Sequence, residues 1–237
     1  MRGPAGRDAG RARLAAQPGG HGLPGLLVVL EGIDRSGRST HVRLLEKRLR
    51  YAGHGVSRTS LAASRLAGDL IRQAKQAGRT DPVEIALLYA ADLAERVEQV
   101  VLPSLRAGLA VLADRYAWTP IARAEARGVA GAWLDALFTF APAPDVVLYL
   151  DVDPATSLAR RDAEPDPFEA GLDLALSADA WESYGLFQAR LAACFERHIG
   201  SAAFTSVRAV DSVDVVQRRL DRALDRLLAT RPLAGGR

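Results

Sequence analysis

The sequence is poor in cysteine and in long apolar segments, and both scarcities restrict what the chain can be. Its 237 residues include one cysteine, Cys194, which excludes a disulfide within the chain and is compatible with a reducing compartment. No apolar run approaches the roughly 20 residues that a membrane-spanning helix requires. We therefore expect a cytoplasmic protein that has no membrane partner.

Lysine is also scarce, because Lys47 and Lys75 are the only lysines among 31 basic residues. The net charge is only +3, and much of it lies in residues 1–24, which carry four arginines and one aspartate among Gly, Ala and Pro. We predict that this segment is a disordered basic tail, and it lacks the apolar stretch of a secretory signal. A nucleic-acid-binding arm is the alternative, but short basic tails are more often inert, so we expect no nucleic acid partner.

Apolar strands alternate with helical patterns along residues 25–231, which predicts one α/β domain followed by a flexible C-terminus at 232–237. Strands are predicted from Leu26 and at 56–61, 109–113, 145–150 and 205–210, and helices at 39–53, 64–77, 81–105, 179–198 and 213–228. Strands separated by helices pair in parallel through helical crossovers. The predicted fold is therefore a five-stranded parallel sheet with helices on both faces.

The first strand runs directly into a glycine-rich loop that precedes a helix, which is the arrangement of a phosphate-binding loop. Gly32 and Gly37 lie five residues apart, and a cation and two hydroxyls follow, although the cation is Arg38 where this motif usually has lysine. Backbone N–H groups of such a loop bind polyphosphate, the cation reaches the outer phosphates, and a hydroxyl reaches magnesium. The predicted nucleotide-binding residues are Gly32, Ile33, Asp34, Arg35, Ser36, Gly37, Arg38, Ser39 and Thr40. The alternative is an ordinary Gly/Ser turn between a strand and a helix.

A second polar group, Asp114-Arg115-Tyr116, comes directly after the predicted strand at 109–113. In an open parallel sheet, ligands bind at the carboxyl ends of the strands, so this group should face the glycine-rich loop. Asp114 can then hold magnesium together with Ser39, and Arg115 can bind a second phosphate with two hydrogen bonds. The alternative is a salt bridge at a strand end that has no chemical role.

Four segments of the sequence resemble the thymidylate kinase family of P-loop nucleoside monophosphate kinases. They are EGIDRSGRST, LLYAADLAERVEQVVLPSLRAG, VLADRY and DVVLYLDVDPATSLARR, and the resemblance spans about residues 26–228. It implies a P-loop NTPase-type sheet with a short lid at about 162–172, and it suggests a homodimer. It also implies that ATP and Mg²⁺ are used to phosphorylate a nucleoside monophosphate, dTMP to dTDP.

The resemblance implies roles for individual residues. Asp34 matches the aspartate that contacts the 3′-hydroxyl of the sugar, and Arg35 matches a loop arginine that clamps the transferring phosphoryl group in one branch of the family. The candidate lid contains no arginine or lysine, which fits that branch. Arg160, on the helix that leads into the lid, is expected to contact ATP or to be a solvated residue. The predicted catalytic residues are Arg35, Arg38, Asp114 and Arg115, and the predicted metal ligands are Ser39 and Asp114.

The sequence departs from the family at the positions that read the base. Leu93 occupies the place of an arginine, Arg123 occupies the place of a tyrosine near the sugar, and the second strand ends without the usual arginine. Because losing a buried hydrogen-bonding group changes discrimination strongly, we expect a weaker preference for thymidylate. The predicted acceptor-binding residues are Asp34, Leu61, Leu93, Arg115, Tyr116, Arg123 and Phe168. Two alternatives are a nucleotide-binding module without kinase activity and a kinase for another small acceptor.

Overall fold

A computed structural model describes residues 20–77, 81–199 and 204–233, and the five strands in this part of the chain form one parallel sheet. The strands are β1 (Leu26–Glu31), β2 (Val56–Ser60), β3 (Ala110–Asp114), β4 (Val146–Asp151) and β5 (Phe204–Arg208). Their order across the sheet is β2-β3-β1-β4-β5. This confirms the predicted five-stranded parallel sheet of a P-loop α/β fold.

Helices connect the strands and cover both faces of the sheet. They are α1 (Arg38–Tyr51), α2 (Gly68–Ala77), α3 (Pro82–Arg96), α4 (Leu102–Arg106), α5 (Trp118–Glu125), α6 (Gly131–Leu137), α7 (Pro154–Ala159), α8 (Ala180–Ile199) and α9 (Val213–Thr230). A π-helical segment, Val97–Val101, joins α3 to α4, and a short 3₁₀ turn occupies Leu172–Leu174. Among the described residues, no helix is long and apolar enough to cross a membrane.

The core is divided by the sheet into two layers, because side chains alternate between the faces of a strand. Leu26, Val28 and Leu30 of β1 pack with apolar residues of α1 and α9, whereas Leu27 and Val29 pack with α3, α5 and α8. Every residue of β1 is buried, as expected for a central strand that is covered on both faces. The strand is therefore a rigid support for the loop that follows it.

The register of the sheet places three loops together. Leu30 of β1 pairs with Asp114 of β3, and Ser60 of β2 pairs with the same Asp114. Strands β1, β2 and β3 therefore end at the same edge, and the loops that follow them emerge side by side. Ligands of open parallel sheets bind at this edge.

Three features of the fold differ from the prediction. The helix predicted at 81–105 changes to π geometry at Val97–Val101, ahead of Pro103, which has no N–H to donate within the helix. Helices α5 and α6 were not predicted. The described domain also begins before residue 25, since His21 contacts Asp145 at 3.0 Å, and it extends past residue 231, since Leu233 is buried against the core. The predicted tail and C-terminus otherwise lie outside the described residues.

Candidate active site

The loop between β1 and α1 has the backbone geometry that its glycines predict. Gly32 has a φ of +146°, and a Cβ there would lie 2.8 Å from the carbonyl oxygen of Leu150, so no side chain fits without displacing backbone. Gly37 has a φ of +97° directly before α1. Arg35 has a φ of +57°, which is uncommon for a residue with a side chain. Such strained positions cluster at ligand-binding sites, where the surrounding structure maintains them.

Arg38 lies inside this loop and is buried. Its Nη1 atom donates to the carbonyl oxygens of Gly32 and Ile33, at 2.7 and 2.6 Å, and to the hydroxyl of Ser36 at 2.9 Å. Its Nε atom donates to Asp114 at 3.2 Å. The guanidinium thus holds the loop closed from within and places a positive charge between the loop and the end of β3.

Ser39 and Asp114 meet at the same place, since the Ser39 hydroxyl donates to the second carboxylate oxygen of Asp114 at 2.6 Å. No group of three or more His, Cys, Asp or Glu side chains suited to a metal occurs in the described ranges. Mg²⁺ does not require one, because it commonly binds one or two protein oxygens and completes its shell with phosphate and water. The hydroxyl and the carboxylate therefore fit Mg²⁺ that is bound together with a phosphate ligand.

Asp34 forms a buried charge cluster with two arginines on the opposite side of the loop. Arg115 and Arg123 both donate to its carboxylate, Arg123 at 3.1 and 3.3 Å, and Gln188 adds a hydrogen bond at 3.1 Å. Burial acts to raise the pKa of Asp34, but the charges of Arg123 and Arg115 outweigh it and hold the pKa well below 3.8. Burial also lowers the pKa of Arg115, to about 10, which leaves that guanidinium charged at neutral pH. The cluster therefore carries one excess positive charge.

Glu31 positions Arg115, although the sequence did not single it out. Its buried carboxylate accepts from the backbone N–H groups of Tyr116 and Thr119, at 2.8 and 3.2 Å, and from the Thr119 hydroxyl at 2.5 Å. The same hydroxyl accepts from Arg115 at 2.8 Å. Arg115 has a φ of +71°, so Glu31 and Thr119 together hold a strained turn. The signal in the sequence that could have identified Glu31 is the presence of an acidic residue at the end of an otherwise apolar strand.

One cleft of about 610 Å³ at the carboxyl edge of the sheet is lined by Asp34, Arg38, Ser39, Asp114, Arg115 and Arg123. Eight cations face it, Arg35, Arg38, Arg72, Lys75, Arg115, Arg123, Arg160 and Arg161, against three acids, Asp34, Asp114 and Glu169. A concave surface with this excess of one charge concentrates ligands of the opposite charge. The cleft is therefore built for an anion that is larger than one phosphate.

The segment predicted as a lid closes one side of the cleft. Phe168 is buried, and the guanidinium of Arg127 stacks between its ring and that of Phe187, with centroid distances of 3.9 and 4.5 Å. Arg127 also donates to Asp173 at 2.7 and 3.0 Å and to the carbonyl of Phe168 at 2.8 Å. Glu169 contacts Arg161 at 3.1 Å. Arg127, which sequence reasoning missed, thus anchors this segment to α5.

Most of the predicted site residues converge on the cleft. Those that line it are Asp34, Arg35, Gly37, Arg38, Ser39, Thr40, Leu61, Asp114, Arg115, Arg123 and Arg160. Gly32, Ile33 and Ser36 lie buried in the loop behind them. Other residues that line the cleft were not predicted from the sequence, among them Arg72, Lys75 and Tyr89. The aromatic ring of Tyr89, whose hydroxyl lies 3.4 Å from Arg123, was visible in the sequence only as a helical core position.

Three predicted acceptor-binding residues do not line the cleft. Leu93 and Tyr116 are fully buried in the core, Phe168 is 5% exposed, and none of the three lines the cleft. Leu93 lies one helical turn after Tyr89, deeper along α3, so Tyr89 forms the wall that Leu93 was expected to form. Phe168 acts through its neighbours instead, since the guanidinium of Arg123 and the ammonium of Lys75 lie over its ring at 5.5 and 5.8 Å.

Comparison with known proteins agrees with this geometry. The family model described as Thymidylate kinase matches residues 30–172. A probable thymidylate kinase 2 of Saccharolobus solfataricus is 32% identical over 178 residues, 74% of this chain and 83% of its own length. A probable thymidylate kinase of Pyrococcus abyssi is 37% identical, covering 60% of this chain and 72% of its own length. A thymidylate kinase of Xylella fastidiosa is 36% identical, with 65% and 73% covered. The chain belongs to the thymidylate kinase family.

Proposed function

We propose that this protein transfers the γ-phosphoryl group of ATP to the 5′-phosphate of dTMP, in the presence of Mg²⁺, and forms dTDP and ADP. The observation that carries the proposal is the presence of two separate anion-binding groups in one cleft. The loop with Arg38, Ser39 and Asp114 forms one group, and Arg115 with Arg123 forms the other. A kinase that acts on a phosphorylated acceptor needs both groups, whereas a protein that only binds ATP needs the first.

At the donor end, the protein binds and orients the triphosphate. Backbone N–H groups of the loop and the N-terminus of α1 receive the phosphates, and Arg38 contributes its charge beside them. Ser39 and Asp114 would hold Mg²⁺, which supplies charge neutralisation on the phosphates when it is bound. Arg35 lies at the mouth of the loop with an exposed side chain, paired with Asp162 at 3.0 Å. An exposed ion pair of this kind is weak, so Arg35 is available to contact the transferring group.

At the acceptor end, Arg115 and Arg123 hold a phosphate, and Asp34 accepts a hydrogen bond from a sugar hydroxyl. An oxygen of the acceptor phosphate attacks the γ-phosphorus, a new P–O bond forms, and the bond to the β–γ bridging oxygen breaks so that ADP leaves. The acceptor phosphate is already anionic, so no general base is required. Alignment of the two phosphates and stabilisation of the spread charge supply the catalysis.

The test is a phosphoryl-transfer assay with ATP, Mg²⁺ and a panel of acceptors. The panel contains dTMP, dUMP, dCMP and glycerol 3-phosphate, and the nucleoside diphosphate products are separated by chromatography. We expect dTMP to be phosphorylated, with dUMP as a secondary acceptor because the base pocket is altered. Binding of ATP without phosphorylation of any nucleoside monophosphate would overturn the proposal and indicate a nucleotide-binding module.

A pair of arginine variants sharpens this test. Arg115→Met should raise the KM for dTMP by at least about 30-fold, because a charged hydrogen-bonding pair to the acceptor phosphate is lost. Arg197→Met is the matched control, since Arg197 is half exposed and pairs with Glu125 outside the cleft. Its kinetics should equal those of the wild-type protein. Equal kinetics for both variants would contradict the assignment of the acceptor end.

A further inference from the structure

A second cavity, of about 470 Å³, lies beside the proposed active site and shares part of its wall. Arg43 of α1, Arg58 of β2 and Arg96 of α3 face this cavity, together with Thr59, Ser60, Ser39, Asp114 and neighbouring apolar residues. Ser39, Ser60 and Asp114 also line the active-site cleft. Three arginines and one carboxylate therefore surround a space that the proposed transfer reaction does not use.

Arg96 carries an unused hydrogen-bond donor at this cavity. Its side chain is 2% exposed, its Nε donates to Asp92 at 2.9 Å, and its Nη1 lies 3.4 Å from the hydroxyl of Thr59. The Nη2 atom is buried and has no hydrogen-bond partner among the described residues. Buried polar groups are nearly always paired in proteins, because an unpaired one loses its hydration without compensation. Arg96 therefore brings an unsatisfied donor to the wall of the cavity.

Asp92 shows that Arg96 is held rigidly and is not a mobile surface cation. The Asp92 carboxylate accepts from Arg96 and from the backbone N–H groups of Ala62 and Ser64, at 3.1 and 2.9 Å. It thereby fixes the loop after β2 to α3 next to the cavity. The charge of Arg96 is balanced by Asp92, and Arg58 is paired with Glu46 at 3.0 Å, so the unbalanced attraction for an anion comes from Arg43. Arg58 and Arg96 contribute directed donors.

The π-helical segment, which lies ahead of Pro103, also borders the cavity. It begins at Val97, directly after Arg96, and its Val100 lines the cavity. π-Helical turns within α-helices are rare and occur frequently at functional sites, where they alter the direction of side chains. Here the change of helical geometry coincides with the residue whose donor is unpaired and with the wall of the cavity.

We propose that this cavity is a second anion-binding site, distinct from the active-site cleft, and that it takes a small phosphorylated molecule. Guanidinium groups match the geometry of phosphate oxygens, and the volume exceeds the space that a bare phosphate ion fills. Because the cavity shares Ser39 and Asp114 with the active site, its occupant influences the proposed Mg²⁺ ligands. The effect of the occupant on the Mg²⁺ ligands rests on the proposed kinase function, whereas the binding of the anion to the cavity does not.

The experiment uses inorganic phosphate as the probe and hydrogen–deuterium exchange of the whole protein as the readout. Phosphate is expected to bind in the active-site cleft as well, so the signal must be resolved by position. In the wild-type protein, phosphate should slow amide exchange in two separate regions, the loop at 32–40 and the wall at 59–63 together with Val97–Val101. Protection of the loop alone would overturn the second site.

Two matched arginines separate the sites. Arg58 lines only the second cavity and pairs with Glu46, and Arg72 lines only the active-site cleft and pairs with Asp69; both side chains are about half exposed. In Arg58→Ala, the phosphate concentration needed to protect Val97–Val101 from exchange should rise about tenfold, whereas the protection of the loop at 32–40 should be unchanged. Arg72→Ala should leave the protection of Val97–Val101 unchanged. Equal protection of that segment in Arg58→Ala and the wild-type protein would refute the proposal.

A third variant tests the orphaned donor itself. Arg96→Lys retains the charge beside Asp92 but removes Nη2, and it should also weaken the protection of Val97–Val101. If Arg96→Lys does not fold, the Arg58 and Arg72 pair still decides the outcome, because both residues lie at the surface. The proposed kinase function is not involved in any of these measurements, so its failure would be seen separately, in the acceptor panel.

Discussion

Replacing Asp34 with asparagine tests the charge cluster on which the acceptor end depends. The carboxylate of Asp34 is 8% exposed, and its partners Arg115 and Arg123 are 11% and 5% exposed. Asparagine keeps the size of the side chain but removes the negative charge, and its amide nitrogen would face other donors. Removing one partner of a buried ion pair typically costs about 3–5 kcal/mol, because the remaining charges stay buried without compensation.

We expect Asp34→Asn to lower the free energy of unfolding by about 3 kcal/mol, toward the lower end of that range because one oxygen remains to accept a hydrogen bond. For a chain of this size, such a change lowers Tm by about 6–12 °C. Asp166→Asn is the control, since Asp166 is 39% exposed and lies 3.7 Å from Lys75. An exposed pair contributes about 0–1 kcal/mol. Urea denaturation at pH 7 measures both variants, and a loss below 1 kcal/mol for Asp34→Asn would refute the reasoning.

The pH dependence of this difference provides a second check. Because the folded-state pKa of Asp34 is held below its unfolded value of 3.8, the carboxylate stabilises the fold fully above that value. The stabilisation is lost as the pH falls below 3.8 and toward the lower folded pKa. The gap between the wild-type protein and Asp34→Asn should therefore be constant from pH 5 to pH 7 and should narrow in more acidic solution. A gap that widened with acid would contradict the assigned direction of the pKa shift.

Four further substitutions test other parts of the site. Gly37→Val should abolish ATP binding in calorimetry while circular dichroism shows a retained fold, because residue 37 has a φ of +97° and borders the phosphate-binding cleft; unchanged affinity would contradict the loop assignment. Arg35→Ala should lower kcat far more than it weakens ATP binding, and normal turnover would exclude the clamp. Arg127→Met should raise the KM for dTMP more than it lowers kcat, since it releases the segment around Phe168; an unchanged KM would separate that segment from acceptor binding. Leu93→Arg should destabilise the fold by about 3 kcal/mol or more in urea, as it buries an unpaired charge, and a stable variant would show that Leu93 reaches solvent.

The sheet and the phosphate-binding loop were predictable because their signals are local. A fully apolar strand, two glycines at fixed spacing and a following helix are all visible within a few residues, and each constrains the backbone directly. The predicted start of a helix at residue 81 has a similarly local cause, since the Asp81 side chain accepts from the N–H groups of Val83 and Glu84 at 2.8 and 3.2 Å, and Pro82 follows it directly. Local signals of this kind do not depend on residues that are distant in the chain.

Helix α5 escaped prediction because it has no exposed face over most of its length. All seven residues from Trp118 to Ala124 are buried, the helix has only eight residues, and its start has no side-chain cap. The same burial explains why Arg123 was hard to place from sequence. Its position depends on Asp34 and Phe168, which are distant in the chain, and on a helix that the pattern does not reveal.

The buried position of Leu93 was not predictable for a different reason. The resemblance to a family gives the position of a residue in an alignment, whereas contact with the substrate depends on how far along the helix the cleft extends. In α3, Tyr89 and Leu93 are one turn apart on the same side of the helix, yet Tyr89 lines the cleft and Leu93 packs into the core. Asp92, between them along the chain, binds the loop after β2. Only the tertiary structure shows at which turn of the helix the cleft gives way to the core.

The contacts of Arg38 explain why an arginine suits this position of the loop. Its terminal Nη1 donates to the carbonyls of Gly32 and Ile33, while its Nε, which lies nearer to the backbone along the side chain, donates to Asp114. A lysine presents a single nitrogen and cannot occupy both places at once. Arginine therefore links the loop to the end of β3 and keeps its charge among the groups that receive phosphate. The departure from the usual lysine is consistent with a phosphate-binding role, because the same side chain also fixes the carboxylate that would hold Mg²⁺.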